Sequence, residues 1–355
     1  MFIGLLLSIL SGLCFAVCFA PVRHMNKFAW ENIWFLYSLI ATVLLPLAVG
    51  FGTIPALPHL YQEIGWRMNL LVVSAGFLSG LSVILYGLAL VKVGMALVNA
   101  IGNGISLIVG MLVPLVVQHR QALRGRLGLS LLLGLLFAVL GVAVSAAAAQ
   151  RNQDSAYLNA DDRKRQDRVR TAFVGLLLAA GFGLIQPLFN FGLAFTDDYM
   201  KLAALHGTGD AFTAVAFYIP YLAPSFLSSC LYFGFLWKRN RSFGQLSGPH
   251  SLRYYALSTA IALVWFAGIL LYGWAMPWMK SFGPVIGWPV NLIAVTILSA
   301  VVEYFYGDWH GKPLRMLACG SVALIISMAI FGYANLLLQT AGAENGYSTM
   351  TASSR

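Results

Sequence analysis

Ten apolar runs of about 20 residues, separated by short polar stretches, constrain this chain more than any other feature: residues 3–22, 30–51, 68–91, 94–117, 127–149, 171–195, 212–237, 254–275, 282–303 and 315–338. A helix needs about 20 mostly apolar residues to cross a bilayer core of about 30 Å. Lipid offers the backbone no hydrogen-bond partner, so each run must satisfy its own N–H and C=O groups. The two-residue alternation of a membrane barrel is absent. The expected fold is an all-α polytopic membrane protein with ten transmembrane helices. A content of 59% hydrophobic and 10% charged residues excludes a soluble globular domain. The first run has no basic segment before it and nine spans after it, so it is expected to be retained and not cleaved as a signal peptide.

A net charge of +10 would suggest nucleic acid in a soluble protein; here Lys and Arg sit in loops and act as topology signals, so no nucleic-acid partner is expected. With the N-terminus outside, 15 of the 22 Lys and Arg residues fall on the inner side and 7 on the outer. The positive-inside rule then places both termini outside, with Arg120, Arg124 and Arg126 running against it. The surrounding lipid is that of a bacterial inner membrane, and the chain is expected to act as a monomer or homodimer.

The densely charged segment 151–170 falls near the midpoint and mixes acidic with basic residues, as a cytoplasmic linker would. It divides an N-terminal five-helix repeat, 1–150, from a C-terminal one, 171–338, followed by a polar tail, 339–355. The halves echo each other. Gly4-Leu5-Leu6-Leu7 followed by Gly12-Leu13 recurs as Gly175-Leu176-Leu177-Leu178 followed by Gly183-Leu184. Leu85-Tyr86-Gly87-Leu88-Ala89 recurs as Leu271-Tyr272-Gly273-Trp274-Ala275. Five spans separate each copy from its partner, and an odd number of crossings reverses direction, so two inverted five-helix repeats are expected, with a site between them.

Amides are costly in hydrocarbon, so those inside the spans mark candidate sites. Asn99 and Asn103, four apart, share a helix face among Gly94, Gly102 and Gly104. The matching span of the second half is interrupted by Gly283-Pro284 and Gly287-Trp288-Pro289, with Asn291 just beyond, and softened helices at matching positions mark transporter sites. Gln186 and Asn190 flank Pro187 on the sixth span. Trp265 and Trp288 offer flat faces for a ring such as a sugar, with Tyr86 and Tyr272 close by. The expected solute site is thus Asn99, Asn103, Asn190, Trp288 and Asn291, with Tyr86, Tyr272, Gln186 and Trp265 around it. For proton coupling Glu31 is the candidate carboxylate, weighed against pairing with Arg23 or Lys27; Glu303 and Asp308 also lie at a span end. Bundled amides also serve as interhelical glue, the competing explanation for all of these.

Phe19-Ala20-Pro21-Val22-Arg23, Lys27, Trp30-Glu31-Asn32-Ile33-Trp34, Leu44-Leu45-Pro46, Tyr86-Gly87-Leu88 and Leu107-Ile108-Val109-Gly110 together resemble the bacterial L-rhamnose/proton symporter family, part of the drug/metabolite transporter superfamily. The resemblance is strongest from about residue 12 to 117 and continues at Asn190 and Asp308-Trp309. It implies ten helices in inverted halves, alternating access, and a sugar carried inward with a proton. The sequence departs from that pattern between Gly283 and Asn291, where it is more apolar and proline-rich.

Two other transport readings are an exporter and an uncoupled facilitator of the same superfamily. A more distant one is an intramembrane enzyme acting on lipid-linked substrates, which needs catalytic acids, a metal set or an activated nucleophile. The six histidines, His24, His59, His119, His206, His250 and His310, fall in loops without a shared motif. Cys14, Cys18, Cys230 and Cys319 lack metal or redox spacing, and no phosphate-binding Gly-x4-Gly-Lys loop occurs. No catalytic residue, metal or cofactor is expected; the partners are a small solute, most simply a sugar, and a proton or other cation.

Overall fold

The computed structural model describes residues 2–352 apart from 94, 156–161, 249–250 and 308, and the side chains among them apart from 95–96, 153–155, 162–170 and 341–352. Ten helices among the described residues are long and apolar enough to cross a membrane. They are Ile3–His24 (span 1), Trp30–Thr53 (span 2), Trp66–Val93 (span 3), Leu97–Gln118 (span 4), Arg126–Asn152 (span 5), Thr171–Phe195 (span 6), Val215–Asn240 (span 7), Ser251–Trp278 (span 8), Lys280–Phe305 (span 9) and Gly311–Thr340 (span 10). No strand occurs among the described residues. Gly94 and Asp308 lie outside them.

The charged segment is more helical than its composition suggests. The helix of span 5 runs to Ser155 and that of span 6 begins at Asp162, leaving only 156–161 of the expected linker between them, outside the described residues. Extending an existing helix avoids the cost of nucleation, so polar residues join it readily. The last helix likewise continues to Ala352, through most of the expected tail. Two π-helical turns interrupt the spans, Leu39–Leu44 just before Pro46 and Gly283–Gly287 just before Pro289. Proline has no N–H to give the preceding turn, and the widened turn is one way a helix accommodates it.

The spans of the two halves interlock. Span 1 packs chiefly on spans 8 and 9, while span 6 packs chiefly on spans 3 and 4; span 5 lies along span 10, and span 3 along span 7. Glycines set these approaches. Gly4 abuts Ala275, Trp278 and Met279 at the end of span 8, and Gly175 abuts Lys92 and Val93 at the end of span 3. Gly12 abuts Asn291 and Ala294 of span 9, and Gly183 abuts Gly102 and Ile105 of span 4. Gly87 meets Trp30 in span 2, and Gly273 meets Tyr218 in span 7. At Gly183 a Cβ would stand 2.5 Å from the Gly102 carbonyl oxygen, so only glycine permits that crossing.

Ten alternating spans put the start of span 1 and the end of span 10 on one side of the bundle, the terminal face. Two short helices cap that face, α1 (Leu57–Ile64) and α2 (Asp198–Leu205), each anchored by buried residues, Leu57 and Leu60 in the first and Tyr199 and Ala203 in the second. Asn69 ties them together. Its Nδ2 donates to the Tyr61 carbonyl at 2.7 Å, and its Oδ1 accepts from the Tyr199 hydroxyl at 2.7 Å. Tyr61 in turn donates to the Ala216 carbonyl at 3.1 Å. Burial raises both tyrosine hydroxyls above their ordinary pKa, which keeps them protonated as donors.

Candidate functional site

On the opposite, basic face a small cleft opens between spans 4, 5, 9 and 10, lined by Asn99, Asn103, Ser145, Thr296, Ser299 and Glu303. Its volume of about 40 Å³ matches roughly three waters. Ligand pockets usually measure hundreds of Å³, so the cleft in this conformation is smaller than such a pocket. Asn99 and Asn103 do share one helix face, and that face is turned to the cleft. Asn103 stands six residues, about 9 Å, inside the end of span 4. Glu303 accepts a 2.9 Å hydrogen bond from the Trp309 indole N–H.

Tyr86, expected beside the amides, packs against Phe182 of span 6 with ring centroids 5.0 Å apart, and against an aromatic cluster built on span 2. Tyr37 is buried in that cluster, edge-on to Phe19 at 5.2 Å and to Trp34 at 5.9 Å. Trp30 and Trp34 stack with centroids 5.0 Å apart, and Phe19 stacks on Trp34 at 5.0 Å with planes 7° apart. Trp265 meets Tyr37 edge-on at 5.8 Å. The Trp30 indole N–H is buried without a hydrogen-bond partner. Trp30, Trp34 and Tyr37 share one face of span 2 at spacings of four and three, a pattern visible in the sequence but not singled out there for its chemistry.

The remaining expected residues form a different layer, from mid-span to the terminal face. Asn190, fully buried, donates from Nδ2 to the carbonyls of Gly110 at 2.9 Å and Pro284 at 3.0 Å, and accepts from the Tyr272 hydroxyl at 2.8 Å. One side chain thereby joins spans 4, 6, 8 and 9. The Gly110 carbonyl is free to accept because the residue four positions on, its normal helical donor, is Pro114. The Trp288 indole N–H donates to the Ser106 carbonyl at 2.9 Å, and its ring lies where any Gly110 side chain would be. Asn291 donates to the Ser8 carbonyl at 3.1 Å and the Ser11 hydroxyl at 2.8 Å. Gln186 lies partly buried, with its Oε1 enclosed and unpartnered. The sequence grouped these amides and Trp288 with Asn99 and Asn103. The structure separates them into a hydrogen-bonded layer and a small cleft.

Glu31 lies apart from both. It is buried, accepting hydrogen bonds from the Ser242 hydroxyl and, at 3.0 Å, from Asn240 Nδ2. Next to it Asn32 donates to the Ser242 carbonyl at 3.0 Å and accepts from the Trp237 indole at 2.6 Å. Together they pin the start of span 2 to the end of span 7 and the loop after it.

The family model described as L-rhamnose-proton symport protein (RhaT) matches residues 1–336. Among similar curated proteins are the L-rhamnose-proton symporters of Klebsiella pneumoniae subsp. pneumoniae and of a strain of Escherichia coli. Each is 25% identical over 337 residues, covering 91% of this chain and 95% of the relative. The L-rhamnose-proton symporter of Shigella boydii serotype 18 is 24% identical over the same coverage.

Proposed function

The chain belongs to the L-rhamnose-proton symport protein family, and from that premise we propose that it carries L-rhamnose inward across a bacterial inner membrane together with a proton, by alternating access. Symport membership sets aside the enzyme reading. The observation that carries the proposal is a single cleft holding a carboxylate, Glu303, beside two amides, Asn99 and Asn103, within the ends of spans 4 and 9. Amides can read the hydroxyls of a sugar. A coupling carboxylate must meet both the solute and water. Glu303 lines the cleft, whereas Glu31 is buried and engaged by Ser242 and Asn240. We therefore assign coupling to Glu303.

Inverted five-span halves are supported by the glycine contacts. The first half's Gly4 and Gly12 meet spans 8 and 9, and the second half's Gly175 and Gly183 meet spans 3 and 4, the counterparts under a shift of five spans. The division of basic residues supports a cytoplasmic basic face and external termini. In that orientation the layer around Asn190 is the closed external gate, and the cleft belongs to an inward-facing, nearly occluded state. The cleft lies within one chain, so a monomer suffices as the transport unit.

Counterflow in proteoliposomes, with labelled L-rhamnose and a panel of deoxysugars, hexoses, amino acids and nucleosides, tests the assignment. L-Rhamnose is expected to exchange without a pH gradient and to accumulate with one. Exchange of an amino acid or nucleoside in its place would overturn the sugar reading, and accumulation indifferent to the gradient would overturn proton coupling.

A further inference from the structure

The helices that cap the terminal face bring together three groups that no sequence motif connects. His59 and Glu63, four apart, project from one face of α1. His206 ends α2, and its backbone is fixed by a glycine closure. Gly207 has φ +87°, its N–H bonds the Ala204 carbonyl at 3.0 Å, and the Thr208 N–H bonds the Ala203 carbonyl at 3.0 Å. His59 Nδ1 lies 2.5 Å and His206 Nε2 lies 3.0 Å from the same carboxylate oxygen of Glu63, and one donor atom from each residue falls within 4.8 Å of the others. We propose that His59, Glu63 and His206 form a binding site for a divalent transition metal, Zn²⁺ in the first instance, bridging the two halves of the protein on its terminal face.

The donor set selects the ion. Two imidazole nitrogens and a carboxylate oxygen suit Zn²⁺, which binds such ligands at about 2.0–2.2 Å. Ca²⁺ and Mg²⁺ prefer shells of oxygen. Tetrahedral bonds of that length hold donor atoms roughly 3.3–3.5 Å apart, so to admit the ion the His59 and His206 nitrogens must draw back from the Glu63 oxygen by roughly 0.8 Å and 0.3 Å. The frame is in place without a metal, because Asn69, Tyr61 and Tyr199 already lock α1 against α2. Three protein ligands leave a position for water, as in exchangeable zinc sites. As a mere ion pair the same groups contribute little, since the His59 and Glu63 side chains are 63% and 34% exposed. Because α1 joins spans 2 and 3 and α2 joins spans 6 and 7, a bound ion links the first half to the second. The site does not depend on the transport assignment.

Calorimetric titration of Zn²⁺ into the EDTA-stripped full-length protein, purified in detergent without a polyhistidine tag, tests the site. One equivalent is expected to bind. His59→Asn, Glu63→Gln and His206→Gln should each weaken binding by more than about 100-fold, beyond the roughly 10–100-fold usual for a residue that only orients a ligand. His59 and Glu63 are exposed and His206 is half-buried, so melting midpoints in EDTA should stay close to the parent's. X-ray absorption at the zinc edge of the loaded parent is expected to show imidazole and oxygen ligation with no sulfur. Absence of one saturable equivalent, undiminished affinity in the His59→Asn/His206→Gln double variant, equal binding of Mg²⁺, or a sulfur shell from the cysteines would each overturn the proposal.

Discussion

Replacing Asn190 with leucine should unlatch the layer proposed as the external gate. Leucine keeps nearly the same volume but removes three hydrogen bonds, leaving the Tyr272 hydroxyl and the Gly110 and Pro284 carbonyls without that partner. Side-chain hydrogen bonds between membrane helices average about 0.6 kcal/mol, so three amount to about 2 kcal/mol. These bonds exist only while spans 4, 6, 8 and 9 are together, so their loss weighs on the sealed state alone. About 2 kcal/mol corresponds to roughly a thirtyfold shift toward the outward-open state. The assay uses a protein with Cys14, Cys18, Cys230 and Cys319 replaced and one reporter, Ser106→Cys, placed behind the Trp288 indole. Right-side-out vesicles are treated with an impermeant maleimide, and the labelling rate is compared with and without Asn190→Leu. The rate should rise by about thirtyfold. A well-folded Asn190→Leu protein labelled within about threefold of its parent would show that this layer is static packing and not a gate.

Asn103→Leu should weaken sugar affinity roughly five- to 150-fold with an unchanged melting midpoint, as measured by equilibrium binding, because the lost group faces the cleft. Asn291→Leu should do the reverse, costing about 1–3 kcal/mol of stability while leaving affinity nearly unchanged, because its amide is already bonded to Ser8 and Ser11. Gly183→Val should deplete folded protein in fluorescence-detected chromatography, since its Cβ would press on the Gly102 carbonyl at 2.5 Å, whereas Gly52→Ala, with nothing within 4 Å, should be silent. Reporter fusions after Arg355 should be active with a periplasmic reporter and inactive with a cytoplasmic one; the opposite pattern would reverse the orientation.

Much of the fold was legible because lipid leaves few alternatives. Apolar length fixed the ten spans, and the glycine and proline cluster at 283–289 marked the one softened stretch of span 9. The repeated Gly4 and Gly175 motifs were readable as sequence, and their contacts with opposite halves give them a physical role. The division of the amides was not legible. Asn190 latches spans together because Pro114, in a different helix, frees a carbonyl opposite it, a relation no local pattern encodes. Glu31 and Glu303 look alike at span ends; only their neighbours, Ser242 and Asn240 for one and the cleft for the other, distinguish them. The connecting helices α1 and α2 were missed because eight residues are too few for a clear apolar period, and with them went the meeting of His59, Glu63 and His206.

The central claim is that a carboxylate in the inner cleft couples sugar movement to protons, and Glu303→Gln in proteoliposomes tests it most directly. Glutamine preserves shape and hydrogen bonding but cannot exchange a proton. Labelled L-rhamnose counterflow should persist in this variant, while accumulation driven by a pH gradient and sugar-evoked proton uptake both fall to background. Accumulation at the parent level in Glu303→Gln, with loss of coupling in Glu31→Gln instead, would contradict the assignment and move the proton site to the buried knot at the start of span 2.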